Sequence, residues 1–243
     1  MQLHDIKKLH QKKYRQQFGH YLLEGEHLIL ELVKAAKQQP DLKDCQVFVS
    51  EDYEAFAKQL AFFKSVTVVN AKTMAQLSDT KTPQGIVACV PMATKQAAKP
   101  LRRYVYLHEV QDPGNLGTII RTLAWFGDTG LILSPNSVDP FNPKVVRASM
   151  GATFHVPIEQ DVALATLASR FTRFAYLDMQ GESVRSDKFA RYECYLFGNE
   201  ARGVPTDALA AYQADPFTIE GAGQIDSLNL ASAVNMCVYQ LAK

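Results

Sequence analysis

The chain of 243 residues lacks the signatures of several function classes. No GxGxxG follows the first strand-like run of either half and no GxxxxGK[ST] occurs, so neither a dinucleotide-binding turn nor a P-loop is present. No serine sits in a GxSxG elbow, which leaves the common hydrolase layout unsupported. The four cysteines, Cys45, Cys89, Cys194 and Cys237, are far apart in sequence, and the six histidines show no ligand spacing. Buried, reduced thiols are the expectation, with no metal site. Charge of one sign is missing too: 26 basic residues face 25 acidic ones, so any nucleic-acid surface must be local. No apolar run reaches membrane-spanning length and no cationic segment with an apolar core opens the chain, which predicts a cytoplasmic protein with no membrane partner.

What is present is ordinary globular material, 47% apolar. The opening is its most biased stretch. Lys7, Lys8, Lys12, Lys13 and Arg15 face only Asp5, with His4, His10 and Tyr14 interspersed. This pattern fits a solvated helix face or an RNA contact equally. After it, "YLLEG" reads as a strand and "EHLILELVKAAKQQP" as a helix with Leu28, Ile29, Leu32, Val33 and Ala36 on one face. "CQVFVS", "SVTVVN" and "GIVACVP" are β-branched, strand-like runs. Together they predict a small α/β unit, and "PMATKQAAKP" at residues 91–100 is the best linker.

Beyond residue 97, strands alternate with helices: "YVYLH", "TGLILS", "FHVPI", "RFAYLDM", "CYLFG" and "PFTI" are the strands, with a helix opening in "DPGNLGTIIR", helices near 143–150, 161–171 and 206–212 and a closing helix from Ser227. Such alternation predicts a mostly parallel sheet covered on both faces. Ligands of open α/β sheets bind where loops leave the carboxyl ends of strands, and three unusual loops fall there. The first, "DPGNLGTIIR", turns at Asp112, Pro113 and Gly114 and has Asn115 as a suitable N-cap. Its helix carries an apolar stripe of Leu116, Ile119, Ile120 and Leu123, and Arg121 lies off it, about 200° round from Ile119. The second is "LFGNEARGVP", whose Gly198 and Gly203 permit close backbone approach. The third, "EGAGQIDSLNL", places Ser227 at a helix start and Asn229 just inside. Asn115, Arg121, Glu200, Ser227 and Asn229 are thus gathered near the strand ends of one domain.

With these loops in order, the sequence resembles the SpoU-type (TrmH-like) RNA 2′-O-ribose methyltransferases of the SPOUT superfamily. "DPGNLGTIIR", "LFGNEARGV" and "IEGAGQIDSLNLASA" match that family's three motifs, and "NPKVVRASMGA" reads like the stretch between the first two. The N-terminal half is similar to the family's L30e-like domain through "KKYRQQFGHYLLEGEHLILE" and "TPQGIVACV". One departure is that Glu220 and Gly221 follow Ile219 where the family usually has Pro and Met.

The resemblance implies an α/β fold with an L30e-like substrate-binding domain at residues 1–96 and a SPOUT methyltransferase domain with a trefoil knot at 97–243. It implies S-adenosylmethionine as cofactor, held through backbone groups by Gly198, Ile219 and Leu228, and a homodimer. Asn115, Arg121, Glu200, Ser227 and Asn229 become the catalytic and substrate-facing group. Lys7, Lys8, Lys12, Lys13 and Arg15 become candidates for RNA phosphates, with Arg147 and Arg202 nearer the reaction centre. Ribosomal RNA is favoured over transfer RNA. A non-catalytic RNA-binding or ribosome-assembly protein on the same fold is the alternative.

Overall fold

The computed structural model describes residues 1–92 and 101–242, so the expected linker lies outside the described residues from residue 93 onward. Two compact units form. One comprises Met1–Ala93 and Asp139–His155, the other Thr94–Val138 and Val156–Lys243.

In the first unit, α1 (Leu3–Ile6), α2 (Lys12–Phe18), β1 (His20–Glu24), α3 (Glu26–Gln38), β2 (Gln46–Val49), α4 (Glu54–Ala57), β3 (Ser65–Val68), α5 (Ala71–Leu77) and β4 (Ile86–Pro91) build a four-stranded sheet of order β1-β4-β2-β3. β4 runs antiparallel to β1 and β2, while β2 and β3 are parallel. The central strands β4 and β2 read as nearly unbroken apolar runs because both faces are covered, whereas the edge strand β3 is partly exposed. Leu23, Val47, Val49, Ala88 and Val90 pack with the α3 stripe of Leu28, Ile29, Leu32, Ala35 and Ala36. Leu22, Phe48, Val87 and Cys89 meet Ile6, Leu9, Met74 and Leu77 on the other face.

Val146 and Phe154 join the α3 core, which explains why residues 139–155 belong with this unit although they follow residue 97 in sequence. A buried ion pair reinforces the grouping. Arg15 Nη2 lies 2.6 Å from Asp139 Oδ2, Nε donates to the same oxygen at 2.9 Å, and Nη1 donates to the Leu9 and His10 carbonyls.

The second unit continues with β5 (Arg103–Leu107), α6 (Pro113–Phe126) and β6 (Thr129–Leu133); α7 (Pro143–Ser149) belongs to the first. Then follow β7 (Ile158–Glu159), α8 (Leu164–Arg170), β8 (Phe174–Ser183), β9 (Cys194–Phe197), α9 (Thr206–Leu209), β10 (Ala214–Thr218) and α10 (Leu230–Leu241). All strands of its sheet are parallel, in the order β10-β8-β9-β5-β6-β7. The expected strand "FHVPI" shrinks to two residues, since Ala152–Phe154 form a 3-10 turn and Phe154 is committed to the first unit's core. Tyr106, Ile132 and Leu196 pack with α8 and α9 residues Leu167 and Leu209, while α6 and α10 pair with each other through a hydrogen bond from Thr122 Oγ1 to Asn235 Oδ1 at 2.6 Å. The four cysteines are free and buried, and burial pushes the Cys237 thiol up to about 12.

Candidate active site

The loops after β5, β9 and β10 all leave the same edge of the sheet, because those strands are parallel and lie within four neighbouring positions. The first loop enters α6 through Asp112. Its Oδ1 accepts from Asn115 N at 2.7 Å, and Pro113 occupies the first helical position, where its missing N–H costs nothing. The expected cap at Asn115 therefore moves to Asp112. Aspartate immediately before a proline at the helix start was the signal for it. The Asn115 side chain, released from capping, turns to the other loops.

The second loop is closed on itself. Asn199 and Gly203 exchange backbone hydrogen bonds of 2.9 Å in both directions, and Asn199 Oδ1 accepts from Ala201 N and Arg202 N. Gly203 has φ +68°, and a Cβ on Gly198 would sit 2.1 Å from the Gly203 carbonyl carbon, so both glycines are required by the loop's own closure. Asn199 is buried and donates through Nδ2 to the Glu109 carbonyl at 2.7 Å, tying this loop to the first. No periodicity marks a lone loop asparagine, and sequence reasoning missed it.

At the tip of this loop, Glu200 accepts from Gln111 N and Asp112 N at 3.1 Å each and from Asn115 Nδ2 at 3.3 Å. The carboxylate thus fixes the backbone of the first loop. The third loop ends at Asn229, whose Oδ1 caps α10 by accepting from Ser232 N at 3.2 Å; the helix begins at Leu230, later than the expected start at Ser227. Asn229 Nδ2 then donates to Asn115 Oδ1 at 2.9 Å. Both amide orientations follow from chemistry. A carboxylate only accepts, so Asn115 must present its Nδ2 to Glu200, and Asn229 has committed its oxygen to the cap.

Asn229, Asn115 and Glu200 therefore form one hydrogen-bonded chain across all three loops. Arg121 and Ser227 stand outside it. Arg121 lies about two turns along α6 from Asn115, exposed, and bonds to no described residue. Ser227 is exposed two residues before Asn229. His108, at the end of β5, has a buried Nδ1 without a hydrogen-bond partner among the described residues. Burial lowers its pKa, opposed by Glu109 and aided by Arg202.

The third loop also carries the backbone features expected of a cofactor cradle. No backbone-to-backbone hydrogen bond among the described residues involves residues 219–228, and residues 220–229 are exposed. Ile219 follows β10 and Gly198 follows β9, with β8 between the two strands; there Thr218 Oγ1 donates to the Met179 carbonyl and Ser183 Oγ to Glu220 Oε2. Met179, Ile225 and Leu228 expose apolar side chains there, at 64%, 70% and 43%. Free amides and carbonyls with apolar neighbours suit an adenosine-bearing ligand.

A model of the SpoU rRNA methylase family matches residues 102–239, the span that contains all three loops. The chain belongs to this family. Residues 1–88 of this SpoU methylase match an MRM3-like substrate-binding domain. The 23S rRNA (guanosine(2553)-2′-O)-methyltransferase RlmP of Bacillus subtilis is 31% identical over 98% of this chain and 94% of its own length. An uncharacterized tRNA/rRNA methyltransferase of Synechocystis is 32% identical over 97% and 88%. An AdoMet-bound rRNA methyltransferase structure from Sinorhizobium meliloti superposes with a TM-score of 0.78 at 28% identity, covering 98% of this chain and 93% of that one.

The basic residues of the first unit divide into two kinds. Lys12 and Lys13 are exposed, Lys8 pairs with Asp5 at 3.0 Å, and Lys7 bonds to Gln76. Lys8 and Lys13 flank the Tyr14 ring at 5.7 and 5.5 Å. Arg15 differs: at 3% exposure, with its donors spent on Asp139 and two carbonyls, it is a structural group and not a phosphate ligand. Arg147 lies in the first unit, 3.2 Å from Asp79, and Arg202 in the second, paired with Glu109.

Proposed function

We infer that the chain transfers a methyl group from S-adenosylmethionine to a ribose 2′-hydroxyl of RNA, with ribosomal RNA as the substrate. The carrying observation is the Asn229–Asn115–Glu200 chain, which locks three loops of separate sequence origin into one geometry at the strand ends. A sulfonium cofactor supplies an activated methyl group. The protein's task is then to hold the acceptor oxygen in line with it, and rigid orientation supplies much of the acceleration.

In this reading Gly198, Ile219 and Leu228 hold the cofactor through main-chain groups of the open third loop. Asn115 orients the reacting ribose, with Glu200 and Asn229 fixing its amide. A guanidinium keeps its proton, so Arg121 acts electrostatically, binding the adjacent phosphate and stabilising the developing alkoxide. Ser227 contributes a hydroxyl at the same rim. Lys7, Lys8, Lys12, Lys13, Arg147 and Arg202 supply phosphate contacts, and Tyr14 a stacking surface for an unpaired base. The similarity to RlmP, spanning almost the whole of both chains, supports ribosomal over transfer RNA.

Homodimer formation is part of the same proposal, as are the trefoil knot and a cytoplasmic location. Trp125 is 85% exposed and Tyr239 67%, and the Phe126 and Tyr239 rings lie 6.1 Å apart, so α6 and α10 present exposed aromatic side chains that a second copy would cover. No helix among the described residues is long and apolar enough to cross a membrane.

The test is methyl transfer by the purified chain from labelled S-adenosylmethionine to unmodified ribosomal and transfer RNA, with mass spectrometry of the nucleosides. A 2′-O-methylated nucleoside in ribosomal RNA is the expected product. Absence of cofactor binding at millimolar concentration by calorimetry would favour the non-catalytic alternative, and base methylation would refute the 2′-hydroxyl assignment.

A further inference from the structure

The loop from Ile219 to Leu228 is tied to the described residues by a single hydrogen bond. Ser183 Oγ donates to Glu220 Oε2 at 3.2 Å, and no other group of residues 219–228 bonds to a described residue. Ser183 is the last residue of β8 and Glu220 the second residue beyond β10, so this bond anchors the root of the loop to the sheet.

An irregularity of the sheet brings the two side chains together. β8 and β10 pair in register as far as Tyr176 with Pro216, and pairing resumes at Glu182 with Phe217 and Ser183 with Thr218, which leaves residues 177–181 of β8 without a partner on β10. Extra residues in one strand bend it and re-aim its side chains. Here the strands rejoin with Ser183 abreast of Thr218, two residues short of Glu220. Val184 N donates to the Thr218 carbonyl at 3.0 Å and Thr218 Oγ1 to the Met179 carbonyl at 3.2 Å, so the end of β10 is itself held firmly. Ser183 Oγ also accepts from Arg185 N at 3.3 Å, which leaves the hydroxyl proton for the carboxylate, a group that only accepts. Glu220 stands where the family's third motif usually has proline, whose ring fixes the backbone covalently. In this chain a side-chain bond anchors that position.

We propose that Glu220 is a positioning residue for S-adenosylmethionine: its grip on Ser183 holds the backbone next to Ile219 in the conformation that main-chain capture of the cofactor requires. This rests on the reading of the third loop as the cofactor cradle. A ligand held by main-chain groups must order the chain that holds it, and each residue ordered in advance lowers that cost. Glu220 acts through the loop and not on the reacting atoms.

Calorimetry of S-adenosylmethionine binding to the full chain, beside cofactor KM and kcat measured separately, tests the role. S183A and E220A should each weaken cofactor binding and raise its KM about three- to tenfold, while kcat at saturation and the melting temperature stay near those of the wild type. E220Q keeps an accepting oxygen and should recover most of the loss. The double variant S183A/E220A should be no weaker than either single one, because both remove the same bond. A second readout needs no cofactor: nitrogen-15 relaxation of the unliganded chain should show the Glu220 and Gly221 amides less ordered in S183A and E220A than in the wild type and E220Q. Unchanged affinity in both single variants, additive losses in the double one, or E220Q as weak as E220A would overturn the proposal. A wild-type chain that binds no cofactor overturns the cradle reading and the role of Glu220 with it; binding by the wild type, with affinity and loop order unchanged in the variants, overturns the role of Glu220 alone.

Discussion

Exchange of Glu200 for glutamine changes one atom type and tests whether the carboxylate positions the loop that carries Asn115. Oε1 accepts from Asp112 N and Asn115 Nδ2, and Oε2 from Gln111 N. A glutamine has one accepting oxygen. If that oxygen takes the Oε1 place, its NH₂ faces the Gln111 N–H, donor against donor; if it takes the other place, the NH₂ faces both Asp112 N and the Asn115 amide. A hydrogen bond to a charged group is worth about 1.5–3 kcal/mol net and a neutral one about 0.5–1.5. Glu200 is exposed, so water competes and the lower ends apply. Loss of one bond at about 1.5 kcal/mol and weakening of two by about 1 kcal/mol each comes to about 3.5 kcal/mol at these lower ends. Water reaching this exposed site makes good about half of it, which leaves about 1–2 kcal/mol spent on the orientation of Asn115. At about 1.4 kcal/mol per factor of ten, kcat should fall by about 5–30-fold. The melting temperature should drop by only a few degrees, at about 2–4 °C per kcal/mol for a chain of this size. The assay is steady-state methyl transfer with cofactor KM and kcat measured separately, beside a thermal melt. KM should be nearly unchanged, because Glu200 touches the loop that carries Asn115 and not the open third loop. Wild-type kcat in E200Q would refute the positioning role, and a parallel collapse of KM and melting temperature would show Glu200 to be merely structural.

The other expectations concern single residues. Asp112→Ala removes the α6 cap and should cost about 1 kcal/mol of stability, whereas Asn115→Ala keeps the cap and should lower turnover with little change in melting. Arg121→Lys should lose most of kcat while RNA affinity, measured by filter binding, stays close to wild type; loss of affinity alone would remove Arg121 from the chemistry. Arg15→Ala leaves Asp139 buried without its partner and should destabilise by about 3–5 kcal/mol in denaturant melts, while a Lys12→Ala, Lys13→Ala double variant should melt normally and flatten the salt dependence of RNA binding. The pKa of His108 is lowered on folding, so the unfolded chain binds more protons near and below its ordinary value of about 6.5. Stability should therefore fall as pH drops through that value, and His108→Gln should reduce the slope.

The elements and the three loops at the strand ends were legible because they are written in local pattern. The α6 stripe of Leu116, Ile119, Ile120 and Leu123 is buried as its spacing requires, and the second unit's alternation of strand and helix gave the parallel sheet. Helix starts were less legible, since several polar residues compete for each cap. Asp112 prevailed over Asn115 because proline follows it, and Asn229 over Ser227 because its oxygen reaches Ser232 N. What a pattern cannot state is the partner of an apolar face. Nothing in "NPKVVRASMGATF" distinguishes a helix that packs with its sequence neighbours from one whose Val146 enters the α3 core, and nothing in five clustered basic residues separates the buried Arg15 from the exposed Lys12 and Lys13. Both were decided by contacts more than a hundred residues away, such as Arg15 with Asp139.

The third loop has a practical consequence. With no backbone hydrogen bonds to shelter them, the amides of residues 219–228 should exchange with deuterium almost as fast as those of an unstructured peptide, while α10 immediately after them is protected by its helical ladder. Ligand capture by main-chain groups would slow exchange in that one stretch. A single proteolytic fragment spanning the loop and the helix thus reports occupancy and carries its own reference.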